Sequence, residues 1–192
     1  EWYRQYPQLQ DVPVLTLPGR LSRLKGHEEF IELIARLRQQ GVPVYGLIVG
    51  GVEPRRQRYA DQLQHRVQAL GLREGVLFTG YRTDMREIYA VSTLVLSLSA
   101  QPESFGRTVL EALSLGTPVI GYDHGGVGEI LHRIYPAGLT PLGDVERLIE
   151  RVTTLLSAAP PVPIEPVFPR QRMLDDTLAL YASLHRSSRN GV

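Results

Sequence analysis

The sequence predicts an α/β domain, a doubly wound and mostly parallel sheet with helices on both faces. Three observations carry that prediction. Short apolar runs rich in β-branched residues alternate with longer stretches whose apolar positions recur at helical spacing. Glycines stand at the ends of those apolar runs, where a chain leaving a strand must turn tightly. The chain has 192 residues, 43% hydrophobic and 21% charged, enough for one domain with a proper core.

The elements follow in order. Val12–Leu17 reads as a buried strand, then Gly19-Arg20 and Gly26-His27 break the chain. Glu28–Gln40 carries Phe30, Ile31, Ile34, Ala35 and Leu37 at helical spacing and stops at Gly41. Val44–Val49 is the second strand, closed by Gly50-Gly51, and Arg55–Leu70 the next helix, closed by Gly71. Strand Val76–Thr79 ends at Gly80, and Thr83-Asp84 opens a short helix to Ala90. Leu94–Leu98 is the fourth strand, and a helix over Gly106–Leu115 closes on Gly116-Thr117-Pro118. Val119–Tyr122 is the fifth strand. A loop Asp123-His124-Gly125-Gly126 then precedes a short helix Val127–Leu131. A sixth strand is expected near Gly138–Pro141, and Gly143-Asp144 caps a helix Val145–Ser157. This gives a six-stranded Rossmann-like domain over residues 1–157. A proline-rich linker spans 158–169, and a C-terminal helix over 170–187 carries Met173, Leu174, Leu178, Tyr181 and Leu184. Reached by a stiff linker, that helix is free to cross to another domain. The N-terminus reads Glu-Trp-Tyr-Arg, so the chain is expected to be a piece of something longer.

Composition excludes several functions. A net charge of +1 gives no general attraction to nucleic acid. The absence of cysteine rules out disulfides, thiolate metal sites and thiol chemistry. No apolar run is long enough to span a bilayer. No G-x-x-x-x-G-K-[ST] loop, strand-linked G-x-G-x-x-G fingerprint, D-x-D motif or G-x-S-x-G elbow occurs. The five histidines have no metal-ligand spacing with acids, so no metal is expected. One bias is informative: of 21 basic residues, Lys25 is the only lysine. A compact ammonium retained in an arginine background suits a phosphate contact.

In open α/β sheets, ligands bind beyond the carboxyl ends of the strands. Segment 103–111 follows the fourth strand. Ser104-Phe105-Gly106 leads into a helix whose first-turn amides and positive dipole end suit a phosphate. Glu103 stands just before that helix, and Glu111 lies within it on the same face as Thr108. Two carboxylates beside an anion cradle make sense for a ligand that also carries hydroxyl pairs, such as ribose and a hexose. Glu111 sits among Val109, Leu110, Ala112 and Leu113, where an acid needs a partner. Arg20 and Lys25, after the first strand, add cations on the other side of the phosphate.

The stretch from Pro102 through Glu103-Ser-Phe-Gly, Glu111, Gly116-Thr-Pro-Val and Gly125-Gly-Val-Gly-Glu129 resembles the C-terminal domain of family 4 (group 1) retaining glycosyltransferases, which have the GT-B architecture. The upstream Gly19-Arg20-Leu21, Lys25-Gly26 and Val76-Leu-Phe-Thr-Gly80-Tyr81 are similar to that family too. The resemblance implies that Arg20 and Lys25 neutralise a donor diphosphate, and that Gly80 and Tyr81 meet the base. It implies that Glu111 holds the ribose and Glu103 the transferred sugar, and that backbone around Phe105, Gly106, Thr108 and Val109 contacts sugar and phosphate. The expected catalytic set is Glu103, Arg20 and Lys25. The implied reaction moves a hexosyl group from a nucleotide-diphosphate sugar such as a UDP-sugar to an acceptor hydroxyl, with retention and without a metal. Glycan, polysaccharide or glycolipid synthesis is the expected setting. An acceptor glycan or lipid-linked sugar would be held by an N-terminal domain absent from this chain. The implied location is cytoplasmic, extending to peripheral association with the inner face of the membrane. Arg107 and Ser104 depart from the family's more frequent residues, and the isolated piece is expected to be largely inactive. Two alternatives stay open: another GT-B enzyme such as a nucleotide-sugar epimerase, or a non-catalytic nucleotide-binding module.

Overall fold

The computed structural model describes residues 2–163 and 168–189. Six strands, β1 Val14–Pro18, β2 Tyr45–Val49, β3 Val76–Phe78, β4 Leu94–Ser97, β5 Val119–Tyr122 and β6 Leu139–Thr140, form one sheet in the order β3-β2-β1-β4-β5-β6. Every pairing is parallel. Among the described residues the α-helices are α1 Trp2–Gln5, α2 His27–Gln39, α3 Gln57–Ala69, α4 Met85–Val91, α5 Arg107–Ser114, α6 Gly125–Ile134, α7 Val145–Ala158 and α8 Arg170–Arg189. The chain leaves β1 toward β2 on one side and returns to place β4 on the other. That reversal between β1 and β4 is the topological switch point of a doubly wound sheet.

Strand periodicity divides the core. Tyr45, Leu47 and Val49 of β2 join Trp2, Leu9, Val14 and Ile88 on one face, closed by α1 and α4. Ile48 belongs to the larger cluster on the other face, where α2 packs against α3 and α7. Side chains of alternate residues point to opposite faces, and both faces are covered. Every residue of β1, β2, β4 and β5 is therefore buried.

Differences from the expected elements have local causes. The first strand begins at Val14, because Pro13 has no N–H for the ladder, and its carbonyl accepts from Tyr45 N at 2.9 Å. Pro54–Arg56 forms a 3₁₀ turn, so α3 starts at Gln57. Helix α6 is longer than the expected Val127–Leu131: Gly125 and Gly126 belong to its first turn rather than to a loop. A Cβ on Gly126 would lie 2.5 Å from the Phe105 carbonyl oxygen, so that glycine marks a close crossing of two backbones. Helix α1 was unforeseen, since four residues are too few to show a period; Trp2 is nonetheless buried. Trp2 Nε1 donates to Asp84 at 2.9 Å, and Arg82 grips Asp84 with two hydrogen bonds of 2.8 and 2.7 Å while lying over the indole. Asp144 caps α7 by accepting from Arg147 N, as expected. Part of the linker, residues 164–167, lies outside the described residues. Helix α8 exposes Met173, Leu174, Leu178, Tyr181 and Leu184, and Phe168 meets Phe105 edge-on. Among the described residues no helix is long and apolar enough to cross a membrane.

Candidate functional site

The loops that follow β1 and β4 meet directly at the switch point. Ala100 N donates to Leu24 O at 2.9 Å. Gly26 has a φ of +74°, and a Cβ there would come within 2.2 Å of Leu98 O, so only glycine brings the two loops this close. Lys25, just before it, reaches across and donates to Glu103 Oε1 at 2.5 Å. The same oxygen accepts from Ser99 Oγ at 2.6 Å. Burial pushes the Glu103 carboxyl up, but the hydrogen bonds from Lys25 and Ser99 and the Lys25 charge outweigh it and hold the group below the ordinary carboxylate range. Glu103 is therefore an anion at neutral pH, equipped to accept hydrogen bonds rather than to donate a proton.

The segment carrying Glu103 is fixed from below. Its carbonyl accepts from Gly126 N at 2.7 Å, which ties it to the start of α6. Gly106, with a φ of +85°, is the N-cap of α5. Val109 N donates to Gly106 O at 3.1 Å and its side chain is buried. The open amides at this helix end are thus those of Arg107 and Thr108, where the helix geometry supplies no acceptor. Phe105 is half-exposed beside them. His124, read from the sequence as an ordinary loop residue, is the N-cap of α6, and its Nε2 lies 2.9 Å from Ser99 O.

Glu111 lines a cleft of about 610 Å³ together with Tyr81, Arg82, Arg86 and Arg107. The partner that its apolar neighbours demanded is Tyr89, whose buried hydroxyl donates to Glu111 Oε2 at 3.2 Å. Arg107 Nε stands 3.5 Å from the other oxygen. Burial, and then the Glu111 charge, drive the Tyr89 hydroxyl well above its ordinary range, so it stays a donor. Gly80 has a φ of +70°, and Tyr81 projects into solvent with 78% exposure.

The structure thus brings Lys25 and Glu103 together, with Ser99 and His124 added, and sets Glu111 with Tyr89 in the adjoining cleft. Arg20 does not join Lys25 as expected. It turns to Glu53 at 2.5 Å, with 71% of its side chain exposed, and Glu53 is shared with Arg56 at 3.2 Å. An exposed pair of this kind contributes little and opens readily. Tyr89 carried no local signal, because it acts through Glu111, 22 residues further on; Ser99 stands only four residues before Glu103, but a loop serine has no pattern that marks it. No cluster of histidine, aspartate and glutamate able to hold a metal occurs among the described residues.

A family model described as glycosyl transferases group 1 matches residues 1–162. The 2-deoxystreptamine N-acetyl-D-glucosaminyltransferase of Streptomyces fradiae is 33% identical over 138 residues, covering 71% of this chain and 32% of that protein. The 2-deoxystreptamine glucosyltransferase of Streptomyces kanamyceticus is 31% identical over 166 residues, covering 85% of this chain and 41% of that protein. The chain therefore spans a third to two fifths of the length of these relatives. Among solved structures, HepE from Anabaena in complex with UDP and glucose superposes with a TM-score of 0.74 at 30% identity, over 81% of this chain and 41% of HepE. The sucrose-phosphate synthase of Thermosynechococcus elongatus shares the fold, with a TM-score of 0.79 at 22% identity over 96% of this chain and 48% of the synthase. With its parallel Rossmann-like sheet and a family match over most of its length, this chain belongs to the glycosyl transferases group 1 family.

Proposed function

We propose that this chain is the donor-binding half of a retaining glycosyltransferase that moves a hexosyl group from a nucleotide-diphosphate sugar to an acceptor hydroxyl. The observation that carries the reading is the Lys25–Glu103–Ser99 cluster, set at the switch point beside the amino end of α5. The Lys25 ammonium and the Arg107 and Thr108 amides take the diphosphate and stabilise the charge that gathers on it as the sugar leaves. Arg20 swings from Glu53 to join them. Glu103, kept anionic, accepts hydrogen bonds from the hexose hydroxyls and orients the ring. Glu111, oriented by Tyr89, takes the ribose hydroxyls, and Gly80-Tyr81 borders the base. HepE, a relative by fold and sequence, was solved with UDP and with glucose, which supports UDP as the nucleotide here. The site needs no metal in this scheme, since lysine and helix amides supply the positive charge. The acceptor, a glycan or lipid-linked sugar, would be presented by a further domain, and the setting is polysaccharide or glycolipid synthesis at the cytoplasmic face of a membrane.

Calorimetric titration of the chain with UDP, GDP and ADP tests this reading. Saturable binding of one of them, weakened by Lys25→Met, is the expected result. Absence of heat for all three at millimolar concentration sinks it.

A further inference from the structure

A second basic site lies beside the first. A cleft of about 550 Å³ is lined by Ser22, Arg23, Arg55, Arg56, Arg58 and Gln62, with Tyr59 at its base. Arg23 is held in place by Gln62 at 2.7 Å, by Glu28 at 3.1 Å and by the face of Tyr59 at 4.9 Å. The acids nearest the cleft are already paired, Glu28 with Arg23 and Glu53 with Arg20 and Arg56, while Asp61, which accepts from the Gln57 amide, does not line it. Arg55 and Arg58 have no partner among the described residues. The cleft therefore holds uncompensated positive charge.

That charge stands where folding disfavours it. Arg56 is the N-cap of α3 and Arg58 its second residue, with Arg55 in the 3₁₀ turn just before. The amino end of a helix carries partial positive charge and favours acids. Helix α2 obeys this rule with Glu28 and Glu29 in its first turn, whereas α3 has no acid there. Three cations in four residues at a helix amino end work against stability, and such local violations collect at functional sites. The arrangement becomes favourable once an anion enters, since helix end and arginine forks then act on it together.

The position says which anion. Ser22-Arg23-Leu24 lies between Arg20 and Lys25, and Glu53 touches both Arg20 and Arg56. The cleft thus opens beside the proposed donor phosphates on the edge of the sheet where transfer would occur. We propose that this cleft binds a phosphate-monoester group carried on the acceptor glycan, gripping that acceptor from the donor domain's side while the further domain presents the rest of it. The proposal rests on the glycosyltransferase reading for the word acceptor, but not for the anion site itself.

The test is a titration of the UDP-saturated chain at constant ionic strength, followed by amide proton–nitrogen NMR. The probes are inorganic phosphate, glucose 6-phosphate and glucose. Both phosphates should give saturable shifts at the amides of Ser22–Leu24 and Arg55–Gln62 without displacing UDP, and glucose none. The double variant Arg55→Gln, Arg58→Gln should weaken phosphate binding roughly tenfold or more. It should leave UDP affinity unchanged and its melting temperature should not fall, whereas a purely structural role for these arginines would lower it. No saturable shift, or equal shifts in the double variant, overturns the site. Response to inorganic phosphate alone overturns the acceptor assignment. If UDP fails to bind while these shifts persist, the donor reading fails and the anion site stands.

Discussion

Replacing Lys25 with methionine removes one ammonium and keeps the length and most of the apolar stem. The side chains of Lys25 and Glu103 are 31% and 22% exposed, so water screens their attraction only in part. Two unit charges near a protein surface attract by about 4 kcal/mol at 4 Å, and desolvation offsets most of it. The net stability loss worked from this is about 1–2 kcal/mol at pH 7, read from urea unfolding. The pH dependence has a definite sign. Glu103 titrates below its unfolded value, so its stabilisation is complete above the ordinary carboxylate pKa of about 4.3. It fades as pH falls through the lower folded value. The gap between native chain and variant should therefore be widest at neutral pH and close in acid. Donor affinity should fall further than stability, because a charge-assisted hydrogen bond to phosphate contributes about 1.5–3 kcal/mol. That is a loss of roughly 10- to 150-fold in Kd for UDP. An unchanged Kd alongside a normal stability loss would refute the reasoning: Lys25 would then be a brace for Glu103 and nothing more.

Three further outcomes follow from the geometry. Glu111→Ala leaves the buried Tyr89 hydroxyl without its acceptor, costing about 1 kcal/mol in urea unfolding, and should weaken UDP roughly tenfold by calorimetry; unchanged affinity would favour a plain binding module. Gly26→Ala forces a left-handed backbone on alanine and drives its Cβ into Leu98 O, so a loss of about 3 kcal/mol is expected in denaturant midpoint. Asp84, held down to about 2 chiefly by its hydrogen bonds from Arg82, against some burial and with help from Trp2, lends stability above the unfolded carboxylate pKa and loses it toward pH 2. Asp84→Asn should flatten stability between pH 5 and pH 2, followed by the fluorescence of Trp2, the one tryptophan of the chain.

The inner strands and most of the helices between them were legible because each carries its own apolar run or its own period, whereas the short β3 and β6 were placed by the glycines and the alternation around them. Glycines at the strand ends located the site edge for the same local reason. What the sequence concealed was chosen by tertiary contact. Gly125 and Gly126 have poor helix propensity, yet the crossing of Phe105 over Gly126 keeps them in α6. Arg20 and Lys25 are five residues apart and alike in charge, which suggested one shared ligand. The β2–α3 loop intervenes by offering Glu53 to Arg20, a contact across 33 residues that no local pattern announces. Glu111 was legible as an acid in need of a partner, but Tyr89 lies on α4 and only the packed fold names it.

The sheet ends on β3 and β6, strands of three and two residues. An outermost strand offers unpaired backbone groups to any other chain that can add a strand of its own. Edges this brief present too few such groups for another copy to extend the sheet. A parallel sheet whose inner strands are wholly buried and mostly apolar is a hazard for aggregation during synthesis. Here that hazard is confined to the interior, and substitutions that lengthened β6 would be felt first as loss of solubility.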